Sequence, residues 1–228
     1  MNVWVTRDET ADGPLCRALR GHGLTPVAVP VLRRRVVSDL HDELRQLEPS
    51  DWLVFTSAFA AEALRSDTAT HCRVAVVGQA TRTAAERSGW RVTLVGRGPG
   101  AEGLFAELRT RVTSGTVLYA RSSRANVPEA WDGVRLLCPV CYDIVTCEFD
   151  RRLIETVEAV ALASPSAAAA IADAGVDLSE LRLASIGPTT SAALRRLGVE
   201  PWVQADDTTL ESLAAAIAAA ARVVEAGE

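Results

Sequence analysis

Val54-Phe55-Thr56-Ser57-Ala58-Phe59-Ala60-Ala61 returns about 107 residues later as Ala161-Leu162-Ala163-Ser164-Pro165-Ser166-Ala167-Ala168. Arg73-Val74-Ala75-Val76-Val77-Gly78-Gln79-Ala80-Thr81 likewise returns as Arg182-Leu183-Ala184-Ser185-Ile186-Gly187-Pro188-Thr189-Thr190. Each copy is a short apolar run, a small hydroxyl-bearing turn and an alanine-rich helical pattern. An apolar run of this length reads as a buried strand. Ser and Thr in the turn are N-cap types, so a helix is expected to begin there. A strand that feeds a helix through such a turn leaves backbone N–H groups free at the helix start, where anions bind. Four copies of this device point to a ligand with several negative charges.

The pattern extends outward in both directions. Strands are expected at 3–5, 26–31, 51–55, 74–77 and 91–95, with helices at 12–22, 58–65, 80–88 and 101–112 between or after them. The second half repeats the plan, with strands at 116–120, 136–140, 157–163, 183–186 and 201–203. Leu210-Glu211-Ser212-Leu213 answers Ala101-Glu102-Gly103-Leu104 at the last helix. Strand and helix alternating at this spacing predict an α/β fold with parallel sheets. The chain reads as a tandem duplication of about 110 residues, expected to form two lobes with a cleft between them. Ligands of open parallel sheets sit beyond the carboxyl ends of the strands, which is where all four turns fall.

Composition narrows the classes. With 228 residues, 48% hydrophobic and 23% charged, the chain is globular and long enough for one large or two small domains. A net charge of -5 argues against a general nucleic-acid binder. All 24 basic residues are Arg, so no lysine Schiff base can form, which excludes pyridoxal-phosphate and class I aldolase chemistry. The five cysteines lack a disulfide-scaffold spacing. No apolar run reaches the ~18 residues of a membrane span. The start at Met1-Asn2-Val3-Trp4-Val5 lacks the pattern of a signal peptide. A cytoplasmic protein with no membrane or nucleic-acid partner is expected.

The ordered set of motifs resembles the uroporphyrinogen-III synthase family. Asp51-Trp52-Leu53-Val54-Phe55-Thr56-Ser57 is similar to its D-W-L-V-F-T-S signature, and Gly78-Gln79-Ala80-Thr81 and Gly187-Pro188-Thr189-Thr190 to its two G-x-x-T turns. Cys141-Tyr142-Asp143-Ile144-Val145 is similar to its V-Y-x-T-V segment, with Ile144 where the family often has Thr. The resemblance implies two α/β domains joined by a two-stranded antiparallel ladder near 33–37 and 142–148. The chain would cross over and return, giving a first domain of 1–34 plus 149–228 and a second of 38–146. Pattern alone would divide it near Ser114 instead. It further implies conversion of hydroxymethylbilane, a linear tetrapyrrole with eight carboxylates, into uroporphyrinogen III. Water is lost and the last pyrrole ring inverted, without metal or cofactor, in an enzyme expected to be a monomer.

The resemblance places Tyr142 as a proton donor to the leaving hydroxyl, since a phenol is protonated at neutral pH and can donate. The other reading is a strand tyrosine that packs the ladder. It also places Thr81 and Thr190, with Thr189 beside the latter, along the cleft, where plain N-capping is the competing role. Ser57, Ser164 and Ser166 carry the same ambiguity. Arg7 and Arg121 sit at repeat-equivalent strand ends and suit bidentate carboxylate binding, or simply face solvent. Cys138-Pro139-Val140-Cys141 is a lone C-x-x-C in an expected strand, where its two thiols would point to opposite faces. A competing functional reading is a two-lobed sensor of an anionic metabolite, without catalysis.

Overall fold

A computed structural model describes residues 1–66 and 71–226, the side chains of 225 and 226 excepted. The elements run β1 (Asn2–Val5), α1 (Pro14–Gly21), β2 (Thr25–Ala28), β3 (Leu32–Val36), α2 (His41–Arg45), β4 (Trp52–Phe55), α3 (Ala58–Ala63), β5 (Arg73–Val76) and α4 (Gln79–Arg87). They continue with β6 (Val92–Val95), α5 (Gly100–Arg111), β7 (Gly115–Ser122), β8 (Val134–Leu137), β9 (Val140–Thr146), β10 (Ala159–Leu162), α6 (Pro165–Asp173), β11 (Leu183–Ser185), α7 (Pro188–Arg196), β12 (Val203–Gln204) and α8 (Leu210–Ala226). The strand expected at 136–140 is two strands. Pro139 has no N–H to give a ladder, and Cys138-Pro139 is the break between β8 and β9.

The chain divides into two compact units, Met1–Arg33 with Val145–Glu228, and Arg34–Ile144. Ser114 lies inside the second. In the first unit the sheet order is β12-β11-β10-β1-β2, all parallel, with Val3 opposite Ala159 and Val160 opposite Leu183. In the second, β6-β5-β4-β7 is continued by β8 and β9, which both pair with β7. The order reverses between β1 and β10 in one sheet and between β7 and β4 in the other. Such topological switch points are where open α/β sheets bind ligands. Short apolar strands such as Trp52-Leu53-Val54-Phe55 are buried along their whole length, as strands covered on both faces must be.

β3 pairs with β9. The Cys147 N–H donates to the Val31 carbonyl and the Val37 N–H to that of Cys141, so the two segments run antiparallel. Each sheet buries both faces. In the first unit Val3, Val5, Ala161 and Ala184 pack beneath α1 and α8, while Trp4, Val160, Leu162 and Leu183 pack beneath α6 and α7. In the second, Leu53, Phe55, Val74 and Val76 pack beneath α3 and α4, while Val54, Ala75, Val117 and Tyr119 pack beneath α5. Among the described residues no helix is long and apolar enough to cross a membrane.

Candidate active site

The carboxyl edge of the second sheet gathers four of the expected site residues. Phe55 lies opposite both Val76 and Ala120, so the turns that follow β4 and β5 are neighbours, with the end of β7 on the other side. Tyr142 on β9 sits opposite Ser122 at that end. Ser57, Thr81, Arg121 and Tyr142 therefore share one edge. On the first sheet, Arg7, Ser164, Ser166, Thr189 and Thr190 follow the ends of the adjacent strands β1, β10 and β11.

The turns depart from simple capping. The N-cap of α4 is Gly78 and that of α7 is Gly187, both extended, and neither end has a side-chain cap. Thr81 and Thr190 stand three residues further on, inside the first turn, only 5% and 2% exposed. The expectation that these threonines cap their helices is thus overturned: glycine holds the cap in both. Among the described residues neither threonine hydroxyl has a hydrogen-bond partner. Ser57 is the N-cap of α3 without a side-chain cap bond. Ser164 alone of the four turns caps, accepting from the Ala167 N–H at 3.3 Å, with Ser166 Oγ 3.1 Å from Ser164 Oγ. Ser166 and Thr189 are exposed. No side chain caps α3, α4 or α7, and an uncapped start can receive an outside anion. In α7, Pro188 has no N–H and that of Thr190 donates to the Gly187 carbonyl at 3.1 Å, which leaves Thr189 to offer one.

The two arginines are engaged within the chain. Arg7 Nε lies 2.9 Å from Glu9 Oε2. Glu9 Oε1 in turn accepts from the Cys16 N–H in the first turn of α1 at 2.8 Å. Gly13, the N-cap, leaves room for it, since a Cβ there would fall 2.6 Å from Glu9 Cδ. The start of α1 is filled by the chain's own carboxylate. Arg121 donates from Nε to the Cys138 carbonyl at 2.9 Å and from Nη1 to that of Ser122 at 3.0 Å. Its guanidinium ties the segment after β7 to the break before β9, so it does not face solvent freely.

Tyr142 is 8% exposed and meets the Phe59 ring edge-on, with centroids 5.0 Å apart. The Arg34 guanidinium lies over Phe59, 4.8 Å from its centroid. The Tyr142 hydroxyl has no hydrogen-bond partner among the described residues, which leaves it able to donate to a ligand. Phe59 gave no signal in the sequence beyond its place in the first turn of α3.

A pocket of about 1240 Å³ opens in the second unit, lined by Thr56, Pro99, Phe105, Arg109, Tyr119 and Val127 among others. Tyr119, the only other tyrosine, shares a hydrogen bond with Thr56 Oγ1 at 2.9 Å and packs edge-on against Phe105. Burial pushes its phenol upward, and the Thr56 hydrogen bond offsets this in part. Pattern reading missed this pair, whose partners stand 63 residues apart.

Among the described residues no cluster of three His, Cys, Asp or Glu side chains is placed to hold a metal. Burial raises the Cys141 thiol from 9.0 to about 11, with its own backbone N–H opposing the shift. Cys138 is raised as well, again by burial. At neutral pH Cys141 is almost wholly the unreactive thiol. It should resist iodoacetamide at pH ~7.5 in folded protein and react once guanidinium is added. Peptide mass spectrometry reads both, and rapid alkylation of native Cys141 would contradict the burial. Because the folded pKa is the higher, this thiol's contribution to stability is intact below pH 9 and is lost as pH rises towards 11.

The sequence family described as HEM4, uroporphyrinogen-III synthase HemD, matches residues 14–215. The chain belongs to this family. Uroporphyrinogen-III synthases are cyclising lyases of tetrapyrrole biosynthesis, and the chain is an enzyme of that class. Among solved structures, the uroporphyrinogen-III synthetase of Helicobacter pylori is similar at a TM-score of 0.62 and 15% identity, covering 100% of this chain and 99% of that one. A mutant uroporphyrinogen III synthase of the extremely thermophilic bacterium Thermus thermophilus is similar at 0.56 and 18%, covering 98% and 99%. At such identities the likeness is one of fold. No curated protein matches significantly in sequence. Within a uroporphyrinogen-III synthase, uncapped helix starts suit an octacarboxylate substrate, and an unpartnered phenol suits a leaving hydroxyl.

Proposed function

We propose that this chain binds hydroxymethylbilane through the helix starts at α3, α4, α6 and α7 and closes it to uroporphyrinogen III. The observation that carries this reading is the pair of glycine-capped turns, Gly78 to Thr81 and Gly187 to Thr190, each without a side-chain cap and each with a threonine whose hydroxyl has no partner among the described residues. The first-turn N–H groups are open at α4, whereas at α7 Pro188 has none and that of Thr190 donates to the Gly187 carbonyl. Carboxylates accept from these N–H groups, and the Thr81 and Thr190 hydroxyls add one donor apiece. Ser57, Ser164, Ser166 and Thr189 border the same helix starts. Arg7 reaches a substrate carboxylate only by exchanging it for Glu9, and Arg121 supports the edge rather than the ligand.

Tyr142 donates a hydrogen bond to the terminal hydroxyl. As the C–O bond breaks the Tyr142 proton moves to the oxygen, which leaves as water, and the electron-rich pyrrole carries the positive charge; the proton lost when the macrocycle closes restores the phenol. Attack by the substituted carbon of the last ring gives a spiro intermediate, whose rearrangement and proton loss close the inverted macrocycle. No metal or cofactor takes part. The protein's largest contribution is to hold the chain ends so that inverted closure outruns direct closure. The working form is a cytoplasmic monomer, with a first domain of 1–34 plus 149–228 and a second of 38–146.

Freshly made hydroxymethylbilane, incubated with the purified protein and EDTA, should give mainly the type III isomer after oxidation and chromatography. A product that stays type I, as in spontaneous closure, overturns the reading.

A further inference from the structure

Cys141 and Tyr142 are consecutive residues of β9, and both are buried in the cluster that packs beneath α3 and α4. Successive residues of a regular strand point to opposite faces of the sheet, so β9 is irregular between them. The pairing with β7 shows how. Arg121 lies opposite Val140 and Ser122 opposite Tyr142, so β9 holds one residue more than β7, and that residue is Cys141. The ladder agrees. The Arg121 N–H donates to the Pro139 carbonyl at 3.3 Å and the Ser123 N–H to that of Tyr142 at 3.0 Å. The Cys141 carbonyl turns instead to the N–H groups of Val37 and Ser38, at 2.9 and 3.3 Å. This is a β-bulge, rare in a parallel pair, and a bulge bends its strand and re-aims the side chains that follow. Because a slip of one residue exchanges the faces, a regular β9 would put Tyr142 on the face of α5. The bulge puts it on the face of α3, against Phe59.

The bulge is pinned on both sides. Before it, the Arg121 guanidinium bridges two segments. Its Nε donates to the Cys138 carbonyl at 2.9 Å, and its Nη1 to those of Ser122, Ala125 and Ser123 at 3.0, 3.3 and 3.4 Å. A planar guanidinium fork suits such a bridge, and an ammonium on a flexible stem does not. After the bulge, Ser123 holds β9 twice, through its N–H to the Tyr142 carbonyl and through its hydroxyl, which donates to the Asp143 carboxylate. Asp143 Oδ1 also accepts from the Ile144 N–H at 2.8 Å, and Arg124 Nη2 donates to the Ile144 carbonyl at 3.1 Å. The Ser123 hydroxyl, and after it the Ile144 N–H, hold the Asp143 carboxyl below its ordinary range. The Tyr142 hydroxyl has no partner of its own among the described residues. The aim of its ring is therefore set by the backbone on either side and by the Phe59 contact.

We propose that Arg121 and the Ser123–Asp143 pair are positioning residues for the reaction, fixing the bulge at Cys141 and through it the aim of the Tyr142 phenol. The proposal rests on the role given to Tyr142 above, but part of its test does not require turnover. Tyr119 and Tyr142 are the only tyrosines of the chain. Fluorotyrosine labelling of the full chain therefore gives one fluorine NMR line for each, assigned with Tyr119→Phe. Asp143→Ala should shift or broaden the Tyr142 line and leave that of Tyr119. Asp143→Asn, which keeps an acceptor for the Ser123 hydroxyl, should restore it. Ser123→Ala, at an exposed residue, removes the same hydrogen bond from the other side and should act like Asp143→Ala. On hydroxymethylbilane, Asp143→Ala and Arg121→Lys should each lower kcat by about three- to tenfold at unchanged KM, since a small displacement of a reacting group is costly. In the Tyr142→Phe background the same substitutions should change kcat by less than about twofold, because residues that act through one group are not additive. A Tyr142 line that moves in Asp143→Ala and returns in Asp143→Asn, with kcat losses confined to the tyrosine background, supports the positioning. A wild type that forms only type I product, while the line still moves, overturns the proposed function alone. A Tyr142 line unmoved by Asp143→Ala and Ser123→Ala, or kcat losses of equal size in the Tyr142→Phe background, overturns the positioning even where type III is formed.

Discussion

Tyr142→Phe is expected to lower turnover on hydroxymethylbilane by about tenfold to a hundredfold, with KM and Tm close to wild type. The ring of Tyr142 packs edge-on against Phe59, and phenylalanine keeps that contact. What is removed is a hydroxyl with no internal partner, so the folded state loses no hydrogen bond with it. General acids commonly contribute about 10²–10⁴-fold. The lower end applies because an electron-rich pyrrole expels its hydroxyl with little help. Single-turnover mixing separates this loss from any change in product release. The isomer ratio adds a second readout, because slower loss of water inside a protein that still holds both chain ends leaves the product type III. Full activity in the Phe variant assigns Tyr142 to packing at the edge of β9.

The strand-to-helix turns were legible because several signals coincide within a few residues: an apolar run, a small polar turn and an alanine-rich periodicity. Which residue takes the cap was not. Gly78 and Thr81 are both acceptable cap types, and the choice depends on where the first helical φ,ψ pair falls, which a periodicity of 3.6 does not resolve. The difference matters chemically. A threonine at the cap uses its oxygen on the helix, whereas Thr81 and Thr190 inside the first turn have theirs unpartnered. Arg7 and Arg121 looked alike as strand-end cations. Nothing local shows that Glu9, two residues on, turns back to the start of α1, or that carbonyls at 122 and 138 converge on Arg121. The Thr56–Tyr119 pair depends on β4 and β7 becoming neighbours, a long-range event that pattern reading cannot register.

Gly78→Asp should separate stability from activity by moving them in opposite directions. Gly78 caps α4 in an extended conformation open to any residue, and a Cβ there meets no atom within 4 Å. An aspartate at this position can accept from the first-turn N–H groups of α4. Capping and the helix dipole together stabilise by about 0.5–1 kcal/mol relative to glycine, so Tm should stay level or rise. If those N–H groups hold a substrate carboxylate, the new side chain displaces it and repels it. Loss of hydrogen bonds to a charged group is worth about 1.5–3 kcal/mol, which raises KM by about ten- to a hundredfold. Gly78→Ala adds bulk without charge and should leave KM near wild type. Raising the ionic strength should weaken the wild type and narrow its gap from the Gly78→Asp variant, because exposed charges are screened over about 10 Å at 0.1 M salt. The equivalent change at Gly187 is not a clean test, since a Cβ there falls 2.6 Å from Thr208 Cγ2. A Gly78→Asp protein that is as stable as wild type and keeps its KM removes the α4 start from the substrate site. The carboxylates would then have to be held by the turns of the first unit and by Ser57 alone.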